Sequence, residues 1–116
     1  MDKNTMEIAE ARAGRACVLA LAGRIDSTNA EQLTERVNKL LAAGEKNLVV
    51  DLEGVLFLTS AAFRVLLVAT ERAEQNAARF VLCSVFGQVR QLFEMVGLID
   101  AFTIHNSLDE ALAQLR

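Results

Sequence analysis

Residues 47–67, NLVVDLEGVLFLTSAAFRVLL, decide the fold of this chain. Leu48, Val49 and Val50 form a continuous apolar run that ends at Asp51, the pattern of a strand covered on both faces. A short connection follows, with a loop over residues 54–58. Thr59 and Ser60 then stand where a helix begins, and hydroxyl side chains are favoured there because they accept hydrogen bonds from unpaired backbone N–H groups. The helix itself is expected from Ser60 to about Asn76. A hydroxyl at a helix start is also exposed, and a phosphate placed on it would be favoured by the helix dipole. A possible switch site is visible from this stretch alone.

Upstream, residues 6–11 read as a first strand and ACVLALA at 16–22 as a second, joined by the turn signal Ala13-Gly14-Arg15 and therefore antiparallel. Thr28 and Glu31 have capping-box spacing, with Ser27 and Ala30 as a half-formed rival. The helix they announce carries Ala30, Leu33, Val37, Leu40 and Leu41 on one side and charges on the other, and Gly44 is placed to end it. Downstream, RFVLCS at 79–84 is another strand. A helix over residues 86–96 has Val89, Leu92, Phe93 and Val96 on one face and Gly97 as its stop. Phe102-Thr103-Ile104 reads as a short last strand, and Ser107 with Glu110 opens a helix whose inward residues are Leu108, Ala111, Leu112 and Leu115.

The order β-β-α-β-α-β-α-β-α implies an α/β domain spanning residues 1–116. Its mixed, mostly parallel sheet has four to five strands, an antiparallel edge strand and about four helices. In the helix after Ser60, Phe63, Leu66, Leu67 and Thr70 make an inward stripe, while Ala61, Ala62, Val65, Val68 and Ala69 lie largely on other sides. A helix apolar nearly all round is buried or binds something. The expectation is an exposed apolar strip serving a protein partner, with tight packing between helices as the other reading.

Composition narrows the function. The chain has 116 residues, 53% of them hydrophobic, so a core can form without disulfides or metal. The net charge of −3, with no Lys/Arg cluster and neither Trp nor Tyr, argues against nucleic acid as a partner. Charges interrupt every apolar run before the roughly 20 residues of a membrane span. The opening MDKNTMEIAEA lacks the basic start and apolar block of a secretory signal, which points to the cytoplasm. Cys17 and Cys83 fall inside expected strands and read as buried, reduced thiols. No Gly-rich phosphate loop or metal-ligand cluster is found, so no cofactor or metal is expected. His105, the single histidine, reads as a surface residue. Asp26 reads as leading into a helix, Asp51 as the end of a strand and Glu53 as a loop charge, rather than as an acidic catalytic or metal site.

Four segments in order resemble a known family. G-x-I-D at Gly23–Asp26, D-L-x-x-V-x-F at Asp51–Phe57, the hydroxyl pair opening A-A-F-R-V-L-L, and V-x-x-L-F-E-M-V-G-L at Val89–Leu98 are similar to the STAS domain, more narrowly to the bacterial anti-sigma factor antagonists. In that family a D-S-S-G-L-G motif carries a serine phosphorylated by a partner that is both anti-sigma factor and protein kinase. The resemblance places that serine at Ser60, with Thr59 as the weaker candidate. Thr59 stands for the usual Asp, Ala61 for the second Ser, and Ala62-Phe63 for Gly-Leu. The resemblance implies a non-catalytic protein that binds a kinase-like anti-sigma factor when unphosphorylated and is reset by a serine phosphatase. Its expected contact residues are Asp26, Gly54, Val55, Leu58, Thr59, Ser60, Ala61, Arg64, Val65 and Val68. The same family also implies an alternative, a stand-alone accessory subunit of a lipid-transporting ABC system.

Overall fold

The computed structural model describes residues 6–115; the first five residues of the amino-terminal stretch read above, and Arg116, lie outside the described residues. Among the described residues there are five strands and four α-helices. They are β1 (Glu7–Ala13), β2 (Ala16–Ile25), α1 (Ala30–Ala42), β3 (Asn47–Leu58), α2 (Ser60–Gln75), β4 (Arg79–Cys83), α3 (Gly87–Met95), β5 (Ile104–His105) and α4 (Leu108–Gln114), with a 3-10 turn at Ile99–Ala101. The sheet order is β1-β2-β3-β4-β5. β1 runs antiparallel to β2 across the Gly14-Arg15 turn, and every other pairing is parallel. No helix among the described residues is long and apolar enough to cross a membrane.

Each parallel step moves one strand in the same direction, and right-handed crossovers then place all three connecting helices on one face. Cys17, Leu19 and Leu21 of β2, Leu48, Val50 and Leu52 of β3, and Phe80 and Leu82 of β4 point to that face. They bury against Leu33 and Val37 of α1, Leu66 and Ala69 of α2, and Phe93 of α3. The Phe63 and Phe93 rings meet edge to face with centroids 4.9 Å apart, and Phe93 meets Phe102 at 5.7 Å. Each such fully buried side chain contributes about 1.5–3 kcal/mol, so Leu66→Ala or Phe93→Ala is the kind of change that undoes the layer. Among the described residues only α4 covers the opposite face, where Ala111 and Leu115 pack on Val18, Val49, Val81 and Cys83. Both cysteines are buried free thiols.

Several expectations are corrected. β3 does not end at Asp51 and residues 54–58 are not a loop: the strand runs twelve residues, to Leu58. Its pairing with β2 shifts twice, between Ala20 and Ala22 and between Gly23 and Arg24, each shift placing one extra residue on β3. Such bulges break the two-residue alternation by which a strand is recognised. Asp51 is buried mid-strand, and its Oδ1 accepts the Glu53 N–H (3.0 Å) at the first irregularity. Gly54 is required there, since a Cβ would stand 2.9 Å from the Ala22 Cβ and 3.0 Å from the Leu21 carbonyl oxygen. Leu56, the extra residue of the second irregularity, is pushed outward.

The exposed apolar strip on α2 does not exist either. Ala62, Val65 and Ala69 are buried, and Ala61 and Val68 half-buried, because α1 lies alongside. Conversely, Leu67 and Thr70, assigned to the inward stripe, are only half-buried. The capping box at Thr28 and Glu31 is not formed: Asn29 is the N-cap residue of α1. The last strand is Ile104–His105 rather than residues 102–104, and Val96 is exposed. Gly44 ends α1 as expected, at φ +91°, with its N–H on Leu41 O and that of Glu45 on Leu40 O.

Candidate functional site

In parallel strands the carboxyl ends share one edge, so β2, β3 and β4 deliver the starts of α1, α2 and α3 to the same side of the sheet. Thr59 is the extended N-cap residue of α2 (φ −96°, ψ 176°), and its carbonyl accepts from Ala62 (3.0 Å) and Phe63 (3.2 Å). Its own N–H donates to Ile25 O at 3.0 Å and its hydroxyl to the same oxygen at 3.3 Å. The Thr59 hydroxyl is thus turned to β2 and caps nothing. Ser60 is the first helical residue and is exposed. The N–H groups of the first turn not taken by the Thr59 carbonyl, those of Ser60 and Ala61, belong to the set that a helix start offers to an anion.

A shallow depression of about 300 Å³ runs between the starts of α1 and α2, lined by Ser27, Ala30, Glu31, Ser60, Ala61, Arg64 and Val65. Arg64 is exposed and lies four residues after Ser60, hence one turn along the same helical face. Glu31 stands across from it in the first turn of α1.

Asp26 sits in the turn leading into α1. Its Oδ1 accepts the Thr28 hydroxyl (2.5 Å) and the Thr28 N–H (2.9 Å), and those bonds hold its carboxyl below the ordinary value, the hydroxyl contributing most. Asn29 completes the turn: its Oδ1 accepts the Asp26 N–H (3.0 Å) and its amide donates to Arg24 O (2.9 Å).

Of the expected contact residues, Ser60, Ala61, Arg64 and Val65 come together around this depression, Val65 as its largely buried floor. Thr59 and Asp26 flank it as half-buried supports. Val55 and Leu58 are core residues, 6% and 2% exposed, and are corrected to that role. Gly54 lines a different depression, with Ala9, Ala20 and Ala22. Val68 is half-buried, two turns farther along α2. Ser27 and Glu31 were missed, although the adjacency of β2 and β3 would have brought the α1 start here. Two exposed apolar side chains missed by the sequence reading, Leu56 near the end of β3 and Phe86 before α3, share this edge of the sheet. Arg24 lies over the Phe57 ring at 4.8 Å. No His, Cys, Asp and Glu group among the described residues has the makings of a metal site.

The STAS domain profile matches residues 7–111. BtrV of Bordetella bronchiseptica, named as an anti-sigma factor antagonist, is 32% identical over 99 residues, 85% of this chain and 85% of that protein. The fold is also that of an anti-sigma factor antagonist from Mycobacterium paratuberculosis (TM-score 0.87, 23% identity, 99% of this chain and 97% of that one). It is likewise that of the Bacillus cell fate determinant SpoIIAA in its phosphorylated form (TM-score 0.74, 20% identity, 95% and 100%). With a profile match along almost its full length and a relative of this similarity, the chain belongs to the STAS domain family, among the anti-sigma factor antagonists.

Proposed function

We propose that this protein binds a kinase-like anti-sigma factor through the edge that carries Ser60, and that phosphorylation of Ser60 by that partner ends the association. The supporting observation is the position of Ser60: the first residue of α2, exposed, on the rim of a small depression. SpoIIAA, a protein of the same fold, exists in phosphorylated and unphosphorylated forms, which agrees with such a switch.

Unmodified, Ser60 and Ala61 carry no charge, and the exposed Leu56 and Phe86 lie toward the same side of the sheet, a composition suited to a desolvated contact. Phosphorylation adds about −1.5 to −2 charges there. Within the free domain that charge has support from the first-turn N–H groups of α2 and from Arg64 one turn on, so the fold need not change. In the complex the same charge must lose its water against the partner, and Glu31 across the depression adds like charge. A serine phosphatase would restore the binding form.

The test is a binding titration with the cognate anti-sigma factor, together with mass spectrometry after incubation with that kinase and ATP. Ser60→Ala is expected to bind and to take no phosphate; Ser60→Glu is expected to bind poorly. Phosphate found elsewhere, or equal affinity for both variants, ends this reading.

A further inference from the structure

β1 is the outer strand of the sheet, seven residues long, and among the described residues its second edge carries no partner strand. Edges of this kind are usually blunted with charge. The charges of β1 are instead arranged to match themselves. Its register with β2 pairs Ala9 with Ala20, Ala11 with Val18 and Ala13 with Ala16, so these alanines share the face of Val18, the one α4 covers. Glu10 and Arg12 alternate with them and stand on the α1 side, where Glu10 meets Arg36 at 3.4 Å and Arg12 meets Glu45. The Glu10 and Arg12 side chains nevertheless remain 41% and 55% exposed.

Consider β1 laid antiparallel beside β1 of a second copy about a twofold axis. Side-chain faces match only when the axis passes through a residue position. Centred on Glu10, the register sets Glu10 against itself; centred on Arg12, it sets Arg12 against itself; centred on Ala9, it leaves both charges facing Met6 or Ile8. Centred on Ala11, Glu10 faces Arg12 of the second copy on both sides of the axis, and Ala9 faces Ala13. The two internal ion pairs then join into Arg36–Glu10–Arg12–Glu45, a chain of alternating sign that crosses the interface once, and the twofold axis repeats it on the other side. The other side of the seam is alanine against alanine, with no bulk to hold the strands apart.

We propose that β1 is the interface of a symmetric dimer, paired antiparallel about Ala11 so that two five-stranded sheets become one continuous sheet. Backbone hydrogen bonds supply the attraction and the charges select the register, so the association weakens as salt screens them.

Sedimentation equilibrium of the full chain over a dilution series tests this. The expected result is a concentration-dependent dimer that, in high salt, already dissociates at higher protein concentration. Glu10→Arg and Arg12→Glu are each expected to be monomeric, and their equimolar mixture to recover the dimer, since opposite charges then meet again across the axis. Under oxidation Ala11→Cys should cross-link, because facing Cα atoms of antiparallel strands lie about 4.5–5.5 Å apart, within disulfide reach. Ala9→Cys should not, since its two copies would stand about 13 Å apart along the strands. A monomer at every concentration, a dimer that survives in both charge variants, or faster cross-linking at Ala9 than at Ala11 overturns the proposal. So does a chain that stays monomeric while its β1 amides become protected from hydrogen exchange on adding the anti-sigma factor, which would give the edge to that partner.

Discussion

Two helices of this domain have a serine at their start, and the two serines have different fates. Ser107 is the N-cap of α4, extended at φ −145° and ψ 164°, and its Oγ accepts the Glu110 N–H at 3.1 Å. Ser60 is one residue further in. Thr59 has taken the N-cap of α2, has turned its own hydroxyl to Ile25, and has left Ser60 as the first helical residue with its side chain outward. The same side chain is thus consumed by the helix in one place and presented to solvent in the other, and an offset of a single residue makes the difference.

The contrast is sharpest in partner binding. Ser60→Glu is expected to weaken association with the anti-sigma factor by about 2 kcal/mol or more, some 30-fold, whereas Ser107→Glu leaves affinity unchanged, as read by calorimetry. In urea unfolding the order reverses. Ser107→Ala costs about 1 kcal/mol because the Glu110 N–H loses its acceptor, while Ser60→Ala stays within about 0.5 kcal/mol. Equal losses at both sites would erase the distinction.

A finer test lies at the start of α1, where a third hydroxyl serves neither role. Thr28→Ala should raise the Asp26 pKa toward its ordinary value in an NMR titration, and Glu31→Ala should leave it unmoved, because no capping box joins them. The sign follows from the depressed carboxyl. Its stabilising effect is present above the unfolded-state pKa and is lost as pH falls through the lower folded value, so Thr28→Ala narrows the acid side of the stability profile.

The order of elements, the antiparallel edge strand, the Gly44 stop and the Ser107 cap were legible because each rests on local periodicity or on one turn of hydrogen bonds. The outer half of β3 was not. Asp51, Glu53 and Gly54 look like a loop, and two bulges scramble the alternation that would have marked residues 54–58 as strand. The burial of Val65 and Ala69 was hidden for another reason: it depends on α1 lying beside α2, which follows from crossover handedness and not from α2 itself. For the candidate site, Ser60 and Arg64 were found within one helix, while Ser27 and Glu31 arrive from a neighbouring crossover and needed the strand order to be known.

The double attachment of Thr59 to the Ile25 carbonyl has a kinetic consequence. A recognition segment that wanders in solution must surrender conformational entropy at each encounter, and its association slows accordingly. Here the residue ahead of Ser60 is already stitched to the neighbouring strand, so a partner docking at the proposed edge would meet a backbone that is ordered in advance.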